Sequence, residues 1–190
     1  MGKFFENLHA VLVAGVILSI IVMLGLNGQN FEDGVAAGNA IMRWLHTFFG
    51  VLWIGLLYYF NFVQIPTMPK IPAELKPGVS KHIAPAALFW FRWAALITVL
   101  LGIAVAGHAK YLAPALALKP GFQLIGVGMW LGLIMAFNVW FVIWPNQKKA
   151  LGIVAADDAT KAASGRTAMI FSRINTMLSI PMLYAMVSFT

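Results

Sequence analysis

The chain contains no cysteine. That excludes disulfides, thiolate metal sites and the CxxCH attachment of a c-type haem. Charge is nearly as scarce, since Asp, Glu, Lys and Arg make up only 10% of the residues. No Asp or Glu falls inside an apolar run, which argues against a carboxylate proton relay. With 61% hydrophobic residues and a mean hydropathy of +0.85, the chain cannot cover a water-soluble surface.

What the chain does have is apolar length. Five segments, about Leu8–Leu26, Ile41–Val63, Ala84–Gly107, Gly121–Trp144 and Thr167–Phe189, reach the roughly 20 residues that cross about 30 Å of hydrocarbon. The expected fold is all-α: a polytopic integral membrane helical bundle of about five transmembrane helices, forming one transmembrane domain over residues 1–190. The first segment is longer than the apolar core of a signal peptide. No small-residue cleavage motif precedes Asn27 and Gln29, so it reads as a retained helix.

The net charge of +7 has no soluble domain to serve, so it reads as an orientation signal and not as nucleic-acid binding. Lys3, Lys70, Lys76, Lys81, Lys148, Lys149, Lys161 and Arg166 fall on one side of the predicted spans. Arg43, Lys110 and Lys119 fall on the other. The positive-inside rule then predicts a cytoplasmic N-terminus and an outward C-terminus.

The connecting segments differ in character. Ile65–Pro85 carries Pro66, Pro69, Pro72, Pro77 and Pro85, which predicts an extended, stiff loop. Asp157 and Asp158, followed by alanines, predict the start of a helix that continues into the last span. The segment Asn27–Ala40 is short, contains glycine and carries Glu32 and Asp33. Gly128, Gly132 and Ala136 recur at four-residue spacing, with Trp140 continuing the stripe. This suits close helix packing within the chain or a homo-oligomer face. Pro181 should kink the fifth span and free the Met177 carbonyl. Trp44, Trp144 and Tyr111 fit interfacial aromatic belts.

Polar side chains at membrane depth mark function by default. At about 100° per residue, His46, Gly50, Trp53, Leu57 and Gln64 share one stripe, with Asn61 beside it. A histidine with glycine one turn away suits a planar cofactor, the imidazole as ligand and the glycine leaving room for a ring. The alternative is a histidine hydrogen-bonded across helices, with Gly50 admitting a neighbour. His108, on the same predicted side as His46, is the candidate second ligand of a b-type haem; His9 and His82 form the other pair. Arg92 and Arg173 would suit propionates, an anionic substrate or a quinone carbonyl. Asn61, Gln64, Asn138 and Asn175, with Thr176, populate the same half of the membrane and are candidate substrate contacts.

Three stretches carry a resemblance. RWLHTFFGVLWIGLLYYFNFVQ, FNVWFVIWPNQKK and SRINTMLSIPM resemble the membrane domain of the urate hydroxylase PuuD family, from about Arg43 onward. That family implies a membrane-bound urate oxidase passing electrons to a C-terminal cytochrome c domain on the outer side. The RWLH motif is present as Arg43, Trp44, Leu45 and His46. The chain departs from the family pattern in its last span, where Ile174 stands in place of a histidine. It reaches Thr190 with no cysteine to attach a c-type haem, so the cytochrome is expected from a partner.

The expected function is a redox or electron-transfer module, an oxidoreductase component that needs a partner c-type cytochrome and holds a b-type haem. His46, Gly50, Trp53, Arg92 and Arg173 are its candidate cofactor contacts, with His46 and His108 as metal ligands. The competing readings are an accessory subunit of a larger membrane complex and a transporter of an anion such as urate. The absence of an inverted repeat weighs against transport.

Overall fold

The computed structural model describes residues 2–28 and 33–189. Among these residues every regular element is helical, and five helices are long and apolar enough to cross a bilayer, the pattern of a multi-pass membrane protein. The chain divides into two compact units, Met1–Ile41 and Met42–Thr190.

In the first unit, helix α1 spans Leu8–Asn27. The Asn7 side chain caps it, its oxygen accepting from the His9 and Ala10 amides at 3.0 and 3.3 Å. This satisfies donors that no preceding turn can reach. α1 is apolar around its circumference, as a lipid-facing helix is. Glu32 lies outside the described residues. Asp33 accepts from the Val35 amide at 2.9 Å, so helix α2 (Gly34–Tyr58) starts seven residues before the predicted Ile41, with the unit boundary inside it.

The second unit contains four long helices. α2 continues through a wide π turn, Tyr59–Gln64, and two short helical pieces that end at Lys70. After residues 71–75 the chain is helical again from Lys76, through a second π turn (Val79–Ile83) into α3, Ala84–His108. A short helix α4 (Leu112–Leu116) precedes α5 (Gln123–Phe137). α5 runs through a third π turn, Asn138–Ile143, to a final piece, Trp144–Ala150. α6 spans Asp158–Val187 with Asp157 as its cap, as expected, and is continuous through Pro181.

The predicted extended loop over Ile65–Pro85 is therefore wrong for most of its length. Each π turn is followed two residues later by a proline: Pro66, Pro85 and Pro145. The residue before each proline donates its amide to the carbonyl five positions back, Ile65 to Phe60, Ala84 to Val79 and Trp144 to Val139. In a regular helix the proline ring presses on the carbonyl four residues back. The wider turn moves that carbonyl aside, so the helix passes the proline instead of ending there.

α6 is the hub of this unit. Ser164, Ala168, Ser172, Asn175, Ser179, Met182 and Ala185 form its buried face, at three- and four-residue spacing. One core cluster joins Ala168 and Met182 of α6 with Trp53, Leu57 and Phe60 from the α2 strip, Phe91 and Ala95 from α3, and Met135, Val139 and Ile143 from the α5 strip. Gly128 is spent inside the chain, since a Cβ there would lie 3.0 Å from the Ala185 methyl on α6. At Gly126 the backbone of α5 meets the Ala115 carbonyl of α4 so closely that no side chain fits. Lys70, Lys76, Lys148, Lys149 and Lys161 lie around the 71–75 and 151–157 connections, the lysine-rich end of the unit.

Candidate functional site

His46 projects from α2 onto α3. Its Nδ1 lies 2.9 Å from the Thr98 carbonyl. A carbonyl only accepts, so Nδ1 carries the proton, and in the neutral imidazole Nε2 keeps its lone pair. Gly102, one turn beyond Thr98, makes room for the ring, because a Cβ at that position would come within 2.9 Å of His46 Cε1. Gly50 faces the Thr98 methyl at ordinary contact distance, 3.8 Å from where its own Cβ would be. Trp53 continues the stripe into the core, 1% exposed, with its indole N–H lacking a partner. His108 lies six residues past Gly102, about 9 Å further along α3. Just outside the spans, Tyr111 stacks on Phe122 with ring centres 6.3 Å apart. Burial raises its hydroxyl pKa, and the nearby Arg43 guanidinium partly offsets this.

Toward the other end the polar groups are amides and hydroxyls. Tyr58 and Ser179 share a hydrogen bond of 2.9 Å between their hydroxyls. Asn61 donates to the Leu57 carbonyl at 2.9 Å and to Ser172 Oγ at 2.7 Å. Asn138 donates to Asn175 Oδ1 at 2.9 Å, and Asn175 donates to the Met135 carbonyl at 2.9 Å. Asn175 and Ser179 are completely buried. Asn61 and Asn138 both sit in π turns, where the widened backbone turns them toward α6.

The two arginines have different surroundings. The Arg92 guanidinium lies over Trp144, 4.0 Å from the ring centre, and near Phe89 at 5.2 Å, a cation–π arrangement. Arg173 is exposed, while its neighbours Ser172 and Asn175 face inward. Ile174 is half-buried.

Beside the Asn61–Ser172 bond the four strips border an open cleft of about 350 Å³. Phe60 and Gln64 line it from α2, Phe91 from α3, Gln147 from the α5 strip and Ser172 from α6. Gln64 Oε1 and Asn61 Oδ1 are buried without a hydrogen-bond partner.

The comparisons bear on the second half of the chain. Residues 117–189 match the family model described as Urate oxidase N-terminal. This stretch is similar to that family. It holds α5 and α6 with Asn138, Ser172 and Asn175, and lies outside the His46 segment. It points to the same family as the sequence resemblance, the PuuD-like urate hydroxylase membrane domains. No curated protein and no solved structure matches the chain.

Sequence reasoning missed Thr98, Gly102, Ser172, Gln147 and the cation–π role of Trp144. The serines could have been found, since Ser172, Asn175 and Ser179 recur at i, i+3 and i+7. Thr98 acts through its backbone carbonyl, which no residue pattern reveals.

Proposed function

We propose that this protein is a redox module of a bacterial inner membrane, similar to the urate hydroxylase membrane domain, that holds a b-type haem on His46. The supporting observation is the 2.9 Å contact between His46 Nδ1 and the Thr98 carbonyl. It sets the tautomer that leaves Nε2 free, holds the ring at one angle and raises its basicity as a ligand. The donor set suits this cofactor. A haem brings four nitrogen donors of its own and asks the protein for one or two.

When bound, such a haem supplies one-electron chemistry. The chain's own part is to present Nε2, with His108 as the second candidate ligand on the same end of α3. Arg92, on α3 six residues before Thr98, is a candidate cation for a propionate if its guanidinium leaves the Trp144 ring. N-terminus inside and C-terminus outside would place His46 in the outer half of the membrane, on the side where a partner c-type cytochrome would dock.

The test is an absorbance spectrum of protein purified after expression with ample haem. A Soret band that shifts on reduction and is lost in His46→Ala is expected. A colourless, folded protein that co-purifies with a larger membrane complex would replace this reading with an accessory-subunit role.

A further inference from the structure

Where α3 meets the α5 strip at the bundle surface, two cations lie against one indole. The Arg92 guanidinium stands 4.0 Å from the Trp144 ring centre, and the Lys148 ammonium 5.8 Å from it. The seam is fixed at this point. The Trp140 indole donates to the Arg92 carbonyl at 3.1 Å, and Trp93 meets Trp140 edge to face with ring centres 5.3 Å apart. The backbone that carries the guanidinium is therefore pinned across two helices. On the α5 strip, Trp140, Trp144 and Lys148 follow one another at four-residue spacing, which places them on one helix face.

The charge at this seam is not neutralised. An aromatic ring attracts a cation without cancelling its charge, and among the described residues no carboxylate pairs with Arg92 or Lys148. Both residues are half-buried, so each keeps part of its surface open. Guanidinium and ammonium groups only donate, so what they take is an acceptor. Two such groups against one ring suit an anion, and phosphate is the anion that Arg forks onto and Lys meets as a point charge.

The surroundings decide what carries that anion. Phe89, Trp90, Trp93 and Phe141 are exposed apolar rings on the same two strips, a surface for acyl chains and not for water. Lys148 lies two residues before the end of the last helical piece of the α5 strip, with Trp144 one turn deeper. That is the level at which aromatic belts meet lipid headgroups, and basic sites between helices at this level hold anionic heads. A zwitterionic lipid would bring a further cation to a site that has two and no acid. We infer that Arg92 and Lys148 hold the phosphate of an anionic phospholipid against Trp144, with its chains along the exposed rings of α3. This assignment uses Arg92 where the structure holds it and needs no cofactor at His46.

The experiment is native mass spectrometry of the full chain released from nanodiscs with equal parts of dioleoyl phosphatidylglycerol and dioleoyl phosphatidylcholine. Each cation beside an anionic head is worth about five-fold, so phosphatidylglycerol should be retained about ten-fold or more over phosphatidylcholine. Arg92→Gln and Lys148→Gln should each cut that preference about five-fold. Lys76→Gln and Lys149→Gln remove the same charge at the same end of the unit and should leave the preference unchanged. Equal retention of the two lipids, an equal loss in the Lys76 and Lys149 variants, or an unaltered preference in folded Arg92→Gln and Lys148→Gln proteins would each overturn the assignment. Retention of added inorganic phosphate in place of the lipid would overturn it as well. Should Arg92→Gln fail to fold, Lys148→Gln compared with Lys149→Gln decides alone.

Discussion

Asn138 and Asn175 form a one-way relay across the α5–α6 interface. Asn138 donates to Asn175 at 2.9 Å, and Asn175 passes its own amide to the Met135 carbonyl at 2.9 Å. Asn175 is 0% exposed, so nothing else can replace its two bonds.

Replacing Asn175 with Ala should strand the Asn138 amide. A buried donor left unpaired costs about 1–3 kcal/mol, toward the lower part of that range where a membrane-embedded partner can be exchanged. Reversible unfolding of Asn175→Ala, Asn138→Ala and the double variant would measure it. The double variant should cost less than the sum of the two single changes. Strict additivity would show that the relay carries no coupling.

At His46 two glycines make opposite predictions. Gly102→Ala would push its methyl into the imidazole, 2.9 Å from Cε1, and displace the ring from the Thr98 carbonyl. Gly50→Ala meets only the Thr98 methyl at 3.8 Å. If haem is ligated by His46, Gly102→Ala should weaken the Soret band strongly and Gly50→Ala should spare it. The reverse pattern would instead place the macrocycle against Gly50.

A third contrast lies on α5. Gly126→Ala drives a side chain into the Ala115 carbonyl, and backbone cannot swing away as a side chain can. A loss of about 2 kcal/mol or more is expected, in the range of strained or overpacked core changes. Gly132→Ala meets nothing within 4 Å, so it should be neutral or stabilise by up to about 1 kcal/mol through helix propensity. Thermal or denaturant midpoints of the two variants, compared side by side, are the measurement.

The start of α6 makes a pH prediction. Asp157 accepts from the Thr160 amide at 2.8 Å and from the Thr160 hydroxyl at 2.7 Å. These bonds, the backbone one first, hold its carboxyl below the usual carboxylate pKa. A depressed folded-state pKa means the stabilisation is present above the unfolded value and is lost as pH falls through the folded one. The gap in stability between the unaltered protein and Asp157→Ala should therefore be open at neutral pH and close in acid. Asp157→Asn, which keeps a capping oxygen, should show a smaller gap with little pH dependence.

Much of this fold was legible because membrane helices announce themselves by length. All five predicted spans correspond to long apolar helices, and the Asp157 cap was readable from the acidic pair before an alanine-rich run. The proline-rich segment was misread for a physical reason. Proline ends a regular helix, but a π turn placed just before it removes the clash, and Tyr59–Gln64 carries no residue signature for such a turn. The polar residues were also legible, as Asn61, Gln64, Asn138 and Asn175 stand out in apolar runs. Their partnerships were not, because Asn138–Asn175 and Asn61–Ser172 join residues far apart in the chain.

Hydrophobic length and the cost of buried polarity are local properties, so residue order is enough to make this a chain of apolar helices with a few polar side chains at depth. Tertiary structure alone decided what each polar group does. The Thr98 carbonyl selects the tautomer of His46, Trp144 takes the charge of Arg92, and Asn138 and Asn175 satisfy one another. Gln64 is left with an oxygen that no neighbour reaches, beside a cleft that four separate strips of chain must meet to form. Hydrogen bonding is short-ranged and directional, so these outcomes depend on which helix faces which.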